Sequence, residues 1–68
     1  MNNAEKLAHE MEIALNHIKN ANKIGQEMVE NGDSSFSLDT TNILIEEFKV
    51  MESSATRLMA HIKNKEQK

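Results

Sequence analysis

Residues that break helices or cross-link chains are scarce in this sequence. Its 68 residues include no cysteine, proline, tryptophan or tyrosine, with two glycines and two phenylalanines. The absence of cysteine excludes disulfides and thiolate-held zinc, and the absence of proline removes the main interruption of long helices. Apolar runs are too short to cross a membrane, and charged residues interrupt any leader-like segment near the N-terminus. We therefore expect a cytoplasmic protein with no membrane partner.

Basic residues are also few. The formal net charge is -3 at pH 7, and Arg57 is the single arginine. A protein that binds the phosphate backbone of a nucleic acid usually presents a basic face, so duplex nucleic acid is not an expected partner. The chain is short enough for one domain, residues 1–68, and one buried seam of this size gives little stability. Self-association is the expected way to enlarge the core.

The sequence does contain two long heptad stripes. In the first half, steps of three and four join Ala4, Leu7, Met11, Ala14, Ile18, Ala21, Gly25 and Met28. In the second half, the same steps join Leu44, Phe48, Met51, Ala55, Leu58 and Ile62. Each stripe falls on one side of a helix. The fold class predicted is all-α: an antiparallel two-helix hairpin, packed along these stripes, that assembles into helix-bundle oligomers.

Local signals place the ends of the two helices. Helix 1 is predicted over about residues 4–30, a loop over 31–38 and helix 2 over about 39–64. Asn31-Gly32 predicts a left-handed C-cap, and Ser37 or Asp39 is the expected N-cap of helix 2. Phe36 and, as a second candidate, Leu38 are expected to fold back over the open end of the hairpin. Gly25 costs helix 1 up to about 1 kcal/mol relative to alanine, and a glycine on the stripe also lets another backbone approach closely.

A second, weaker apolar stripe lies about 100° around each helix. Its large members are Ile13 and Ile24 on helix 1, and Ile43 and Val50 on helix 2. Large apolar residues on a second face suit a subunit interface, and we predict that these four form one. The alternative is that they are tolerated aliphatic side chains on the surface.

Catalytic motifs are missing from the sequence. His9-Glu10 begins like a zinc-protease helix, but Ile13 stands where the second histidine is needed. No Glu-x-x-His pair, cysteine nucleophile, Gly-x-Ser-x-Gly turn or phosphate-cradling glycine loop occurs. We therefore predict a protein that is not an enzyme and needs no metal or cofactor.

A few polar residues could instead bind an anion. Lys19 and Asn20 adjoin on helix 1, while Arg57 and His61 lie one turn apart on helix 2. Brought together across an interface, they could pair with phosphates. Each lysine could equally be a solvated helix residue, and the five methionines are either flexible core filler or the lining of a peptide groove.

Two short runs resemble the phage anti-CBASS sponges, small helical hairpins that sequester cyclic oligonucleotide signals of bacterial defence. One is Leu7 followed by Ala14-Leu15-Asn16-His17-Ile18-Lys19; the other is Met51-Glu52-Ser53-Ser54-Ala55 followed by Leu58, Met59 and Ile62. The resemblance covers about residues 4–62. It implies that Lys19 contacts a cyclic di- or trinucleotide and that hairpin dimers assemble into a homo-oligomer, a hexamer in that family. The chain has Ala4 where the family's base-stacking aromatic residue stands.

A second resemblance competes with the first. The run Met11-Glu12-Ile13-Ala14-Leu15-Asn16-His17-Ile18-Lys19 is similar to the first helix of the type III secretion needle co-chaperones. Those proteins are acidic helical hairpins that pack against a helical-repeat partner. This resemblance implies an adaptor that binds a helical partner protein through its apolar stripes.

Overall fold

The computed structural model describes residues 2–66, with side chains described for residues 2–64. In that range the chain forms two α-helices and no strand, α1 over Asn3–Glu30 and α2 over Leu38–Glu66. The helices are antiparallel, because Gly25 lies against Ile45 near the loop while Leu7 adjoins Ile62 near the other end. The predicted all-α, two-helix fold is confirmed, and each helix begins one residue before its predicted start. Neither described helix is apolar enough over a sufficient length to span a membrane.

The end of α1 is closed by a glycine in the left-handed region. Gly32 has φ +65°. Its N–H donates to the carbonyl of Val29 at 3.3 Å, and the N–H of Asp33 donates to the carbonyl of Met28 at 2.9 Å. This pair of bonds is the Schellman motif, which satisfies the last carbonyls of a helix. The left-handed C-cap predicted at Asn31-Gly32 is therefore confirmed.

The loop and the start of α2 are held by short side chains. Asp33 Oδ1 accepts the backbone N–H of Ser35 at 2.7 Å. Hydrogen bonds from the Ser35 side chain and then its backbone hold the pKa of Asp33 below its ordinary value. Of the two predicted N-caps, Ser37 takes the role, because its Oγ accepts the N–H of Thr40 at 3.1 Å. Thr41 Oγ1 also donates to the Ser37 carbonyl at 3.0 Å, which ties the first turn to the loop.

The contact between the helices is narrow. The buried apolar side chains among residues 2–64 are Leu15 and Ala55, and the buried polar ones are Asn22 and Thr41. Asn22 Oδ1 accepts a hydrogen bond from Gln26 Nε2 at 3.3 Å, so its polar atoms are not stranded. Gly25 is also buried, and the Ile45 side chain lies where a Cβ at position 25 would project. The expected close approach at this glycine is therefore made by a side chain.

Three predicted members of the seam lie at its margin. Leu7, Met51 and Leu58 are 52%, 47% and 51% exposed, so the partner helix covers them only in part. The apolar arc of α1 spans neighbouring heptad columns, and a single partner helix cannot cover so wide an arc. The buried part of the contact combines Leu15 and Asn22 with the predicted seam members Gly25 and Ala55. Heptad spacing marked the apolar arc, but it did not determine which part of that arc faces the partner helix.

The hairpin is long and thin. Its principal extents are 48 × 17 × 13 Å, and its radius of gyration is 15.3 Å. A compact chain of this length would have a radius of gyration near 11 Å. The shape leaves several large apolar side chains more than half exposed, among them Leu7, Ile24 and Leu58.

Candidate functional site

Three exposed and four half-buried residues of the predicted seam form an open apolar surface, which we call the front face. It consists of one column on α1, Leu7, Ala14, Ala21 and Met28, and one column on α2, Leu44, Met51 and Leu58. Both columns lie on the same side of the hairpin. At the loop end Ala21 and Met28 line one hollow with Leu44, and at the other end Leu7 adjoins Ile62 and His61. None of the seven front-face side chains is charged.

The front face deepens near the loop into an apolar hollow of about 210 Å³. Side chains from both helices and the loop line it, among them Ile24, Met28, Phe36, Leu44 and Phe48. Phe36 is thus folded against the open end of the hairpin, as predicted. Because its ring remains 49% exposed, it covers the hollow only in part.

The four residues predicted as a subunit interface lie along the outer edges of the hairpin. Ile13 and Ile24 are 40% and 58% exposed on α1, and Ile43 and Val50 are 61% and 59% exposed on α2. Ile24 reaches from its edge to the hollow described above. The two pairs lie on different helices and face away from the intramolecular contact, so they are accessible to other molecules. Their role as an interface stays a prediction.

Arg57 and His61 come together as the sequence predicts. Both line a shallow surface pocket on α2 that Ser54 and Leu58 also line, which sets the pair beside the front face. The guanidinium of Arg57 is directed back along its own helix: Nη1 donates to Ser53 Oγ at 2.7 Å and Nη2 to Ser54 Oγ at 3.4 Å. Guanidinium carries five donors in a planar fork, so N–H groups remain for an anion next to the two serines.

Lys19 and Asn20 are exposed on α1, and in one chain they do not meet Arg57. Because Gly25 lies opposite Ile45, Lys19 is level with residue 51 along the hairpin axis. Arg57 is then about 9 Å further along, at 1.5 Å per residue. The helical positions also place Lys19 toward the side opposite the front face. One hairpin therefore does not assemble the predicted ligand set, and a site that uses all four residues needs more than one copy.

In residues 2–66, no group of three histidine, aspartate or glutamate side chains is placed to hold a metal ion. The ion pair found there, Lys49 Nζ to Glu46 Oε1 at 3.8 Å, is exposed and lies within one turn of α2. Such a pair contributes little to stability. The described surface offers apolar contact along the front face, with the hydrogen-bond donors of Arg57 and His61 at its border.

Sequence reasoning missed the front face as a separate surface, although a signal for it exists. On α1 the column of Ala4, Met11 and Ile18 is flanked on one side by Ala8 and Leu15, and on the other by Leu7 and Ala14. Three adjacent columns with apolar members make an arc too wide for one neighbouring helix. Counting the columns would have indicated that one helix of a two-helix unit leaves apolar surface uncovered.

A scan of protein-family models, a search of curated proteins and a search of solved structures each found no match to this chain. The two family resemblances described above therefore stay predictions.

Proposed function

We propose that this chain is a non-enzymatic binding protein that self-associates and sequesters a cyclic oligonucleotide signal at its subunit interfaces, in the cytoplasm of a bacterial host, and so counters anti-phage defence. The observation that carries the proposal is the Arg57–His61 pair at the border of an uncovered apolar face. A subunit that covers this face closes one wall of a pocket around the pair. Removing water from such a pocket strengthens charge-assisted hydrogen bonds to phosphate.

Each residue of the predicted ligand set has a defined part in this proposal. Arg57 and Lys19 neutralise phosphates, and Asn20 and His61 donate hydrogen bonds to phosphate oxygens or a base edge. Because Lys19 and Arg57 are far apart in one hairpin, and Lys19 lies toward the side opposite the front face, Lys19 is contributed by a further copy that docks outside the front face. The net charge of -3 is compatible with this, since a sequestering protein needs a local cationic pocket rather than a basic surface.

Calorimetry against a panel of cyclic di- and trinucleotides tests the proposal. We expect one member to bind and to be released chemically unchanged after heat denaturation. Arg57→Ala should weaken binding about 10- to 100-fold, because a hydrogen bond to a charged group contributes about 1.5–3 kcal/mol. Lys63→Ala is the matched control: it removes another exposed cation of α2, one that shares no surface pocket with Arg57 or His61, and it should leave binding unchanged. No binding across the panel contradicts the proposal.

A second candidate function is an adaptor or co-chaperone hairpin. The small buried core favours it, because a chain with so little buried apolar area gains stability when a partner covers the remainder. Here Ile13, Ile24, Ile43 and Val50 would dock on a helical partner protein. Two results together would favour the adaptor over the sequestering protein. The loosely folded chain would be recovered from host lysate with one stoichiometric helical protein, and its thermal midpoint would not change when cyclic nucleotides are added.

A further inference from the structure

We propose that the front face is covered by a second copy of this chain, seated face to face about a twofold axis parallel to the helices. In this arrangement α2 of each copy lies over α1 of the other. The interface differs from the one predicted from the sequence. Ile13, Ile43 and Val50 stay outside the pair, where they can serve further assembly, whereas Ile24 lines the hollow of the front face. The inference does not depend on any ligand.

The accessible area of the hairpin matches what such a pair requires. The chain of 7.7 kDa exposes 5227 Å², whereas a folded monomer of that mass is expected to expose about 4,300 Å². The difference is roughly 900 Å², and each partner in a standard interface buries about 800 Å². The surplus surface of one hairpin is therefore the right size for one copy of itself.

Side-chain sizes on the two columns indicate how the copies fit. The α1 column is small in its middle, at Ala14 and Ala21, whereas the α2 column is large throughout, with Leu44, Met51 and Leu58. Facing positions pack best when large side chains meet small ones. Helix α2 of one copy therefore fits over α1 of the other better than like columns would fit each other.

The heights of these side chains agree with that fit. Here height means the position of a residue along the long axis of the hairpin. Rotation about a twofold axis parallel to the helices does not change that position, so the register between α1 and α2 within one hairpin also holds between the two copies. With Gly25 opposite Ile45, Met51 lies at a height between Ala14 and Ala21. By the same register Leu44 lies between Ala21 and Met28, and Leu58 between Leu7 and Ala14. Each large side chain of one copy thus falls between two positions on the α1 column of the other, as in knobs-into-holes packing.

The borders of the front face are polar over most of their length, as at most protein interfaces. Exposed Glu10 and His17 flank the column on α1, with Ile24 continuing that border near the loop, and exposed Glu47 and His61 flank the column on α2. The uncharged centre and polar border together match the anatomy of a subunit contact. An apolar face of this kind on a free monomer would favour aggregation.

Cysteine cross-linking tests both the interface and its direction. The chain has no cysteine, so Ala21→Cys and Met51→Cys each carry one thiol. The two variants are mixed in denaturant, refolded together without nucleotide and oxidised. We expect a covalent dimer in the mixture and none from either variant alone. In the proposed pair, α1 of one copy faces α2 of the other, so a thiol at position 21 lies near a thiol at position 51 of the second copy but not near another thiol at position 21.

Val50→Cys supplies the matched control, since Val50 is the neighbour of Met51 and is 59% exposed against 47%, but points about 100° away. Ala21→Cys mixed with Val50→Cys should give no covalent dimer. A covalent dimer formed by Met51→Cys alone would overturn the proposed direction of the twofold axis. If Val50→Cys cross-linked to Ala21→Cys as well as Met51→Cys does, the front face would not be the interface.

Sedimentation equilibrium supplies an independent readout. Met51→Glu combined with Leu58→Glu places charges in the centre of the front face and should give monomers of unchanged helicity. Ile43→Glu combined with Val50→Glu alters residues of similar exposure on the same helix, and should leave the dimer intact. A wild-type chain that stays monomeric at micromolar concentration overturns the inference, whatever happens in the nucleotide panel.

Discussion

Gly25 illustrates how one residue sets the contact between the helices. A Cβ at this position would lie 3.1 Å from Ile45 Cγ1 and 3.8 Å from Ile45 Cδ1. The absence of a side chain at Gly25 therefore leaves room for Ile45 to pack against α1. In the interior of a helix, glycine costs up to about 1 kcal/mol relative to alanine. The sequence identified this cost and a close approach, but it did not identify Ile45 as the neighbour, because that depends on the rotation of both helices about their axes.

The two effects at Gly25 can be separated with a double-mutant cycle. Gly25→Ala in the natural sequence should change the free energy of unfolding little, because the gain in helix propensity is offset by displacement of Ile45. In an Ile45→Ala background the same change should stabilise the hairpin by about 0.5–1 kcal/mol, since the space is then open. Urea unfolding monitored by circular dichroism measures the difference. Equal effects in the two backgrounds would show that Ile45 does not restrict position 25.

At the scale of the elements, the ends of the helices were more predictable than their contact. Asn31-Gly32 and Ser37 are local signals, and the structure confirms both because a cap depends on only a few adjacent residues. Leu7 and Leu58 lie at the margin of the seam and are about half exposed, because a heptad pattern gives the apolar arc and not the partner of each part. The front face as a whole therefore required the three-dimensional register of α1 and α2.

The N-cap of α2 should make a measurable contribution to stability. Ser37 Oγ accepts the Thr40 N–H at 3.1 Å, and removing such an acceptor typically costs about 1 kcal/mol. Ser37→Ala should therefore lower the free energy of unfolding by about that amount at a fixed protein concentration. The control is Ser34→Ala, an exposed loop serine whose replacement should stay within about 0.5 kcal/mol of the natural chain. If both serines behave alike, the hydrogen bond at the cap contributes nothing.

At the scale of the whole molecule, the proposed pair links stability to assembly. Leu15 and Ala55 are the buried apolar side chains among residues 2–64, whereas the seven uncharged front-face residues are exposed or half-buried. A binding partner that prefers the folded chain raises its apparent stability by mass action. In the proposed pair that partner is a second copy of the chain, which would cover the front face.

The thermal midpoint should consequently rise with protein concentration. A tenfold increase changes the free energy of a dimerisation equilibrium by about 1.4 kcal/mol, and for a unit of about 150 residues each kcal/mol shifts the midpoint by about 2–4 °C. We expect a rise of about 3–5 °C per tenfold in concentration, measured by circular dichroism from micromolar to near-millimolar protein. The Met51→Glu, Leu58→Glu chain should melt at a lower midpoint that no longer depends on concentration. A natural chain with a constant midpoint over that range would mean that the hairpin is stable alone, and that the narrow contact between α1 and α2 suffices to hold it.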